Sequence, residues 1–176
     1  AKMECPICKK LKEDKNKIYE DKLVTAFLED KPASAGHIVI APKQHAPIFE
    51  NYDDKIVSHV FVIANKLSSV LFESLQIQGT NILVNNGVAA GQKYPHFSLN
   101  IIPRMENDSL KLEWSPKKLG EDEMKTAELK LTQFTGNVGH EVVKKMEQIQ
   151  PQEAENIQDD EEDEENYLVK HLHRIP

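Results

Sequence analysis

The stretch His96-Phe97-Ser98-Leu99-Asn100-Ile101-Ile102-Pro103-Arg104 alternates through its first six positions. Phe97, Leu99 and Ile101 point one way and His96, Ser98 and Asn100 the other, the period of a half-buried strand. Just upstream, Thr80–Val84 reads as a second strand. The two are joined by Asn85-Asn86-Gly87-Val88-Ala89-Ala90-Gly91-Gln92, whose Asn and Gly residues suit turns. Before them, Asp53 is a helix N-cap. Ile56, Val57, Val60, Ile63, Ala64, Leu67, Val70 and Leu71 then recur at helical spacing, with Gly79 as the stop. Further upstream, Gly36–Pro42 is a compact strand, Leu23–Leu28 is another that ends at the turn Glu29-Asp30-Lys31-Pro32, and Lys17–Tyr19 is a shorter run. Downstream, Met124–Ile149 reads as a second helical region weakened by Gly136 and Gly139. The sum is an α+β domain: an antiparallel sheet, one main helix and a C-terminal helical region, with no internal repeat.

The 176 residues suit one main domain. With 39% hydrophobic residues, 29% charged residues and a mean hydropathy of −0.54, the composition is that of a soluble protein. No apolar run reaches the ~18 residues of a membrane span, and the N-terminus lacks the apolar core of a signal peptide. The expected location is therefore cytoplasmic, with no membrane partner. Net charge is −7, from 29 acidic and 22 basic residues. Seven of the acids are consecutive, Asp159 to Glu165, and without them the chain is balanced. Such a block repels itself and reads as a solvated tail or as a docking arm for a basic protein. It follows a Gln/Glu-rich linker, Gln148–Gln158, and precedes an apolar end, Asn166–Pro176, that carries His171 and His173. The expected organisation is a domain at 1–120, a helical extension at 121–150 and an acidic linker with its C-terminal segment at 151–176. No nucleic-acid partner is evident.

The two cysteines form one C-x-x-C, Cys5-Pro6-Ile7-Cys8. A redox dithiol would open a helix after a strand, whereas Lys9–Lys15 reads as a polar loop. Two unrelated buried thiols are a second reading. Half of a zinc site is the third, since tetrahedral Zn²⁺ takes thiolate and imidazole and C-x-x-C supplies two neighbouring corners. Two further ligands would then come from the seven histidines.

Gly36-His37-Ile38-Val39-Ile40-Ala41-Pro42-Lys43-Gln44-His45, then Asn85-Asn86-Gly87 with Ala90-Gly91-Gln92, then His96–Arg104, resemble the histidine-triad (HIT) proteins, from about Cys5 to Trp114. The resemblance implies a HIT-like α+β fold, a homodimer and a purine-nucleotide pocket in a family of nucleotidyl hydrolases and transferases. In zinc-bearing members, two early cysteines join two histidines; carried over, the ligands are Cys5, Cys8, His45 and His96. Cys2His2 is a closed tetrahedral set with no open position for catalysis, so the metal's implied role is structural.

The family motif has three histidines, of which the middle one attacks the α-phosphorus. Here those positions hold His96, Ser98 and Asn100. Imidazole serves because it is nucleophilic near neutral pH and its P–N adduct is labile; a serine hydroxyl needs an adjacent base, and its phosphodiester would be inert. The expectation is a nucleotide-binding protein without nucleotidyl-histidine catalysis. Its alternatives are an active hydrolase of purine phosphoramidates or dinucleoside polyphosphates, and an interaction protein working through the acidic tail. Around the degenerate nucleophile position Ser98, the resemblance assigns Glu29 to the ribose hydroxyls, Asn85 and Gln92 to the phosphate or the site lining, and His37 to the neighbourhood of the nucleophile. Lys93 stands where a small hydroxyl residue is usual.

Overall fold

Five short strands rich in β-branched residues pair into one antiparallel sheet: β1 (Lys17–Glu20), β2 (Val24–Leu28), β3 (Ile38–Pro42), β4 (Gly79–Val84) and β5 (Leu99–Arg104), in the order β1-β2-β3-β5-β4. This computed structural model describes residues 5–136 and 138. The acidic run, the Gln/Glu-rich linker, the C-terminal segment with His171 and His173, and the second helical region beyond 138 lie outside the described residues. The architecture is the expected α+β one.

Each face of the sheet has its own cover. On one, α2 (Asp54–Leu75) lays Ile56, Val60, Ile63, Ala64 and Leu71 against Val24, Ala26, Ile38, Ile40, Leu99 and Ile101. Burying each large aliphatic side chain contributes about 1.5–3 kcal/mol, so this layer dominates the fold. Asp53 caps the helix, its carboxylate accepting from Ile56 N at 3.0 Å. On the other face, Phe27, Val39 and Ala41 meet Ile7 and Leu11. Ile7 belongs to a five-residue helix, α1 (Pro6–Lys10), whose last two residues begin the stretch Lys9–Lys15 that reads as a polar loop. Two buried apolar residues suffice to dock it, while Lys10 reaches Asp30 at 2.6 Å and lies over the Phe27 ring.

Three boundaries differ from the sequence reading. The main helix ends at Leu75, where Gln76 turns left-handed (φ 51°); Gly79 instead opens β4. Asn85–Gln92 is not all loop, since Val88–Ala90 forms a 3-10 turn. The strand expected from His96 starts at Leu99. Extending the Ile40↔Leu99 register would set Phe97 opposite Pro42, which has no N–H to donate. Residues 96–98 therefore run past the ladder, and Phe97 N bonds Ala46 O at 3.0 Å.

Gly36 stands at the entry to β3 with φ 85°, and a Cβ there would lie 2.6 Å from Leu75 Cδ1 and 3.3 Å from Leu71 Cδ2. The left-handed backbone favours glycine there, while the close contact falls on the movable end of a half-exposed Leu75 side chain. α2 is also long and apolar enough, by length and composition alone, to cross a membrane. Its inner stripe is committed to the sheet, yet Phe61, Val62, Val70, Phe72 and Leu75 remain exposed.

The chain divides into two compact units, Ala1–Glu113 and Trp114–Pro176, a few residues before the expected boundary at 120. In the second, Gly120 caps α3 (Glu121–Thr135), whose first turn carries Glu121, Asp122 and Glu123. Acids at that end complement the helix dipole. No residue of α3 is buried.

Candidate functional site

The side of the sheet away from α2 carries two adjoining features, a cysteine–histidine cluster and a cleft. Cys5 and Cys8 flank α1's first turn, His45 follows β3, and buried His96 precedes β5. Their ligand atoms all lie within 4.8 Å of one another. Cys8 Sγ is 3.3 Å from His45 Nδ1 and 3.4 Å from His96 Nδ1, Cys5 Sγ is 3.7 Å from His96 Nδ1, and the two Nδ1 atoms are 3.2 Å apart. Around tetrahedral zinc, bonds of ~2.3 Å to sulfur and ~2.0–2.1 Å to nitrogen put neighbouring ligand atoms roughly 3.3–3.8 Å apart. The residues fit the ion.

The outer contact of His96 agrees. Its Nε2–H donates to Pro42 O at 2.9 Å, which leaves the Nδ1 lone pair facing the thiols. Burial pushes this imidazole below its ordinary pKa and the Pro42 bond only partly offsets that, so the ring is neutral as a metal ligand must be.

The cleft has a volume of about 210 Å³. Asn100 and Ile102 of β5 and Ser98 just before it line the cleft, with Val39 and Leu83, both of which pair with Asn100. Glu29, His37, Asn85, Gln92, Lys93, Ser98 and Asn100, all expected at the site, line it, as does His96.

Their hydrogen bonds define what they are free to do. His37 Nδ1 accepts from Ala33 N at 3.1 Å, so the ring proton is on Nε2, which donates to Asn100 Oδ1 at 3.1 Å. Asn100 Nδ2 donates onward to Leu83 O at 3.4 Å. His37 is held as a neutral tautomer with no lone pair toward the cleft. Gln92 is wholly engaged within the chain: Oε1 accepts from Gly87 N at 2.7 Å, and Nε2 donates to Pro47 O at 2.6 Å and Tyr94 O at 2.8 Å. Glu29 Oε1 accepts from Lys31 N at 3.2 Å. Asn85 makes one long bond, to Gly91 O at 3.5 Å.

Sequence reasoning missed Ile7, Lys31, Val39, Leu83, Tyr94 and Ile102 as lining residues. Ile102 was legible, because it continues the phase of Ser98 and Asn100. Lys31 was not, as it sits in a turn without periodicity. It changes the electrostatics: two ammonium groups, Lys31 and Lys93, stand against one carboxylate, Glu29, in a chain of net charge −7. The cleft is locally cationic and suits an anion.

Residues 10–107 match the HIT domain family. An uncharacterised HIT-like protein of Borreliella burgdorferi is 37% identical over 109 residues, covering 60% of this chain and 78% of that protein. An adenylylsulfatase of Arabidopsis thaliana is 33% identical over 124 residues, covering 69% of this chain and 61% of its own length. Among solved structures, a zinc-bound histidine triad family protein from Mycobacterium smegmatis superposes with a TM-score of 0.58 at 27% identity, over 66% of this chain and 86% of that one. The fold and the motif strand agree with the sequence match, which spans more than half of the chain, and this protein belongs to the HIT domain family.

Proposed function

We propose that this chain binds a purine nucleotide in the β5 cleft, holds a structural zinc at Cys5, Cys8, His45 and His96, and does not carry out nucleotidyl-histidine chemistry. The observation that carries the reading is the state of the imidazoles lining the cleft. His37 has both ring nitrogens hydrogen-bonded, and His96 turns one toward the thiols and the other to Pro42. Among the described residues no imidazole or carboxylate hydrogen-bonds Ser98, and His37, which lines the same cleft, has both ring nitrogens engaged elsewhere. Attack on phosphorus needs such a base or an activated nucleophile.

Binding needs neither. Lys31 and Lys93 attract the phosphate, Glu29 accepts from ribose hydroxyls, and Val39, Leu83 and Ile102 supply apolar contact. At about 210 Å³ the cleft is smaller than the ~300–1,000 Å³ pockets that enclose drug-sized ligands, so part of the nucleotide stays outside. Cys5, Cys8, His45 and His96 would hold a zinc that crosslinks α1 to the segments after β3 and before β5, and four protein ligands would leave no position for Lewis-acid chemistry.

The assembly is a homodimer in this reading. Val57, Phe61, Ser68, Phe72 and Leu75 form a stripe on α2, and Ser68 Oγ lies 3.0 Å from Thr80 Oγ1 on the edge strand β4, where Ile82 is exposed. An apolar helix flank beside an open strand edge suits a second copy of the chain. The acidic run 159–165 is the arm for a basic protein, and the protein is cytoplasmic.

The test is release of AMP from adenosine phosphoramidate, alongside titration with AMP. The expected result is saturable binding with turnover at background. Robust turnover abolished by Ser98→Ala overturns the catalytic part, and no AMP binding up to millimolar concentration overturns the pocket.

A further inference from the structure

The cleft and the cysteine–histidine cluster share their building parts. Ile7, between the two cysteines, is 6% exposed and packs on Val39 while lining the cleft. The loop 85–94, which also lines the cleft, is joined to the segment after His45 by Gln92, whose Nε2 donates to Pro47 O and Tyr94 O. Pro47 lies two residues after one cluster histidine and Tyr94 two residues before the other. One amide thus spans both histidine-bearing segments, while its Oε1 holds Gly87 N on the far side of the loop. Asn86 adds a parallel strut, accepting from Phe49 N at 2.9 Å and donating to the Glu50 carboxylate at 2.7 and 2.8 Å.

We infer that Ile7 and Gln92 are positioning residues through which metal occupancy sets ligand affinity, so that the cleft is assembled only when the Cys2His2 site is filled. The metal never touches the ligand. It fixes α1, and with it Ile7 against Val39, and it fixes the spacing of the 45–47 and 94–96 segments that Gln92 bridges. Without that spacing, Gln92 loses the two carbonyls that orient it, and Gly87–Gln92 is released from the rim. The inference rests on the nucleotide reading only for its affinity arm, since loop order is measurable with no ligand present.

The experiment uses the full chain, zinc-loaded, chelated and re-loaded. Amide exchange across 86–94 is expected to rise at least tenfold on chelation and to recover on re-loading, while exchange across 54–84 stays unchanged. In Gln92→Ala the loop exchanges fast with zinc bound and no longer responds to chelation. AMP affinity in the wild type should fall at least tenfold on chelation, and Ile7→Ala should reproduce that fall while retaining one zinc per chain. Unchanged loop exchange after complete metal loss overturns the proposal, as does a Gln92→Ala loop that responds like the wild type. A rise that extends through 54–84 also overturns it, since the metal would then hold the whole domain. Absence of AMP binding by the zinc-loaded wild type counts against the nucleotide reading alone, because the exchange data decide the coupling separately.

Discussion

At the scale of single residues, the site is governed by who donates to whom. His37 and Asn100 form a closed relay from Ala33 N to Leu83 O, and Ser98, which lines the same cleft, is hydrogen-bonded to neither among the described residues. Nitrogen-15 spectra are expected to show the proton of His37 on Nε2; an Nδ1–H signal would contradict the hydrogen bond from Ala33 N. A second residue-scale hub lies away from the cleft. Burial pushes the Asp21 carboxyl up, but hydrogen bonds from Val24 N, His59, Leu23 N and Tyr19 outweigh it and hold the group well below the usual carboxylate range. A carboxyl with a depressed folded pKa contributes stability above its unfolded value of about 3.9, and that stability is lost as pH falls toward the folded value. Asp21→Asn should therefore lower the melting temperature at neutral pH, and the gap to wild type should narrow below about pH 4. A gap independent of pH would mean that Asp21 acts through packing and not through charge.

Among the elements, α2 and β5 carry the fold. Asp53→Ala removes the cap of α2 and should cost about 1 kcal/mol in urea unfolding. Leu99→Ala opens a cavity in a fully buried position and should cost about 2–5 kcal/mol. A Leu99 loss no greater than that of Asp53 would show that the sheet–helix layer is not the dominant store of stability. These elements were legible in sequence because their signal is periodic: Phe97, Leu99 and Ile101 at period two, Ile56 to Leu71 at helical spacing. Element ends were less legible, as they depend on single backbone events. Gln76 turned left-handed where glycine was expected to act, and Pro42 withheld the N–H that would have extended β5. The cysteine–histidine cluster was legible only once the resemblance selected His45 and His96 among seven histidines. α1 and Lys31 were not legible, because one docks through two apolar residues in a lysine-rich segment and the other lies in an aperiodic turn.

For the whole molecule, the apolar flank of α2 and the β4 edge give the dimer prediction its target. Phe61→Glu, at a position 42% exposed in the single chain, should convert the dimer to monomer in sedimentation without lowering helical content. A wild-type monomer at micromolar concentration would remove the need for that surface. The net charge of −7 equals the charge of the run 159–165, so the remaining residues balance, and Lys31 and Lys93 outnumber Glu29 among the residues lining the cleft. The central claim is that this member of the HIT domain family keeps the nucleotide site and lacks the step that transfers the nucleotidyl group to histidine. A single-turnover incubation of excess zinc-loaded protein with labelled adenosine phosphoramidate tests both halves at once. The expected result is label retained non-covalently on the protein and recovered as intact phosphoramidate. Stoichiometric free AMP, or label fixed covalently to the chain, would contradict it.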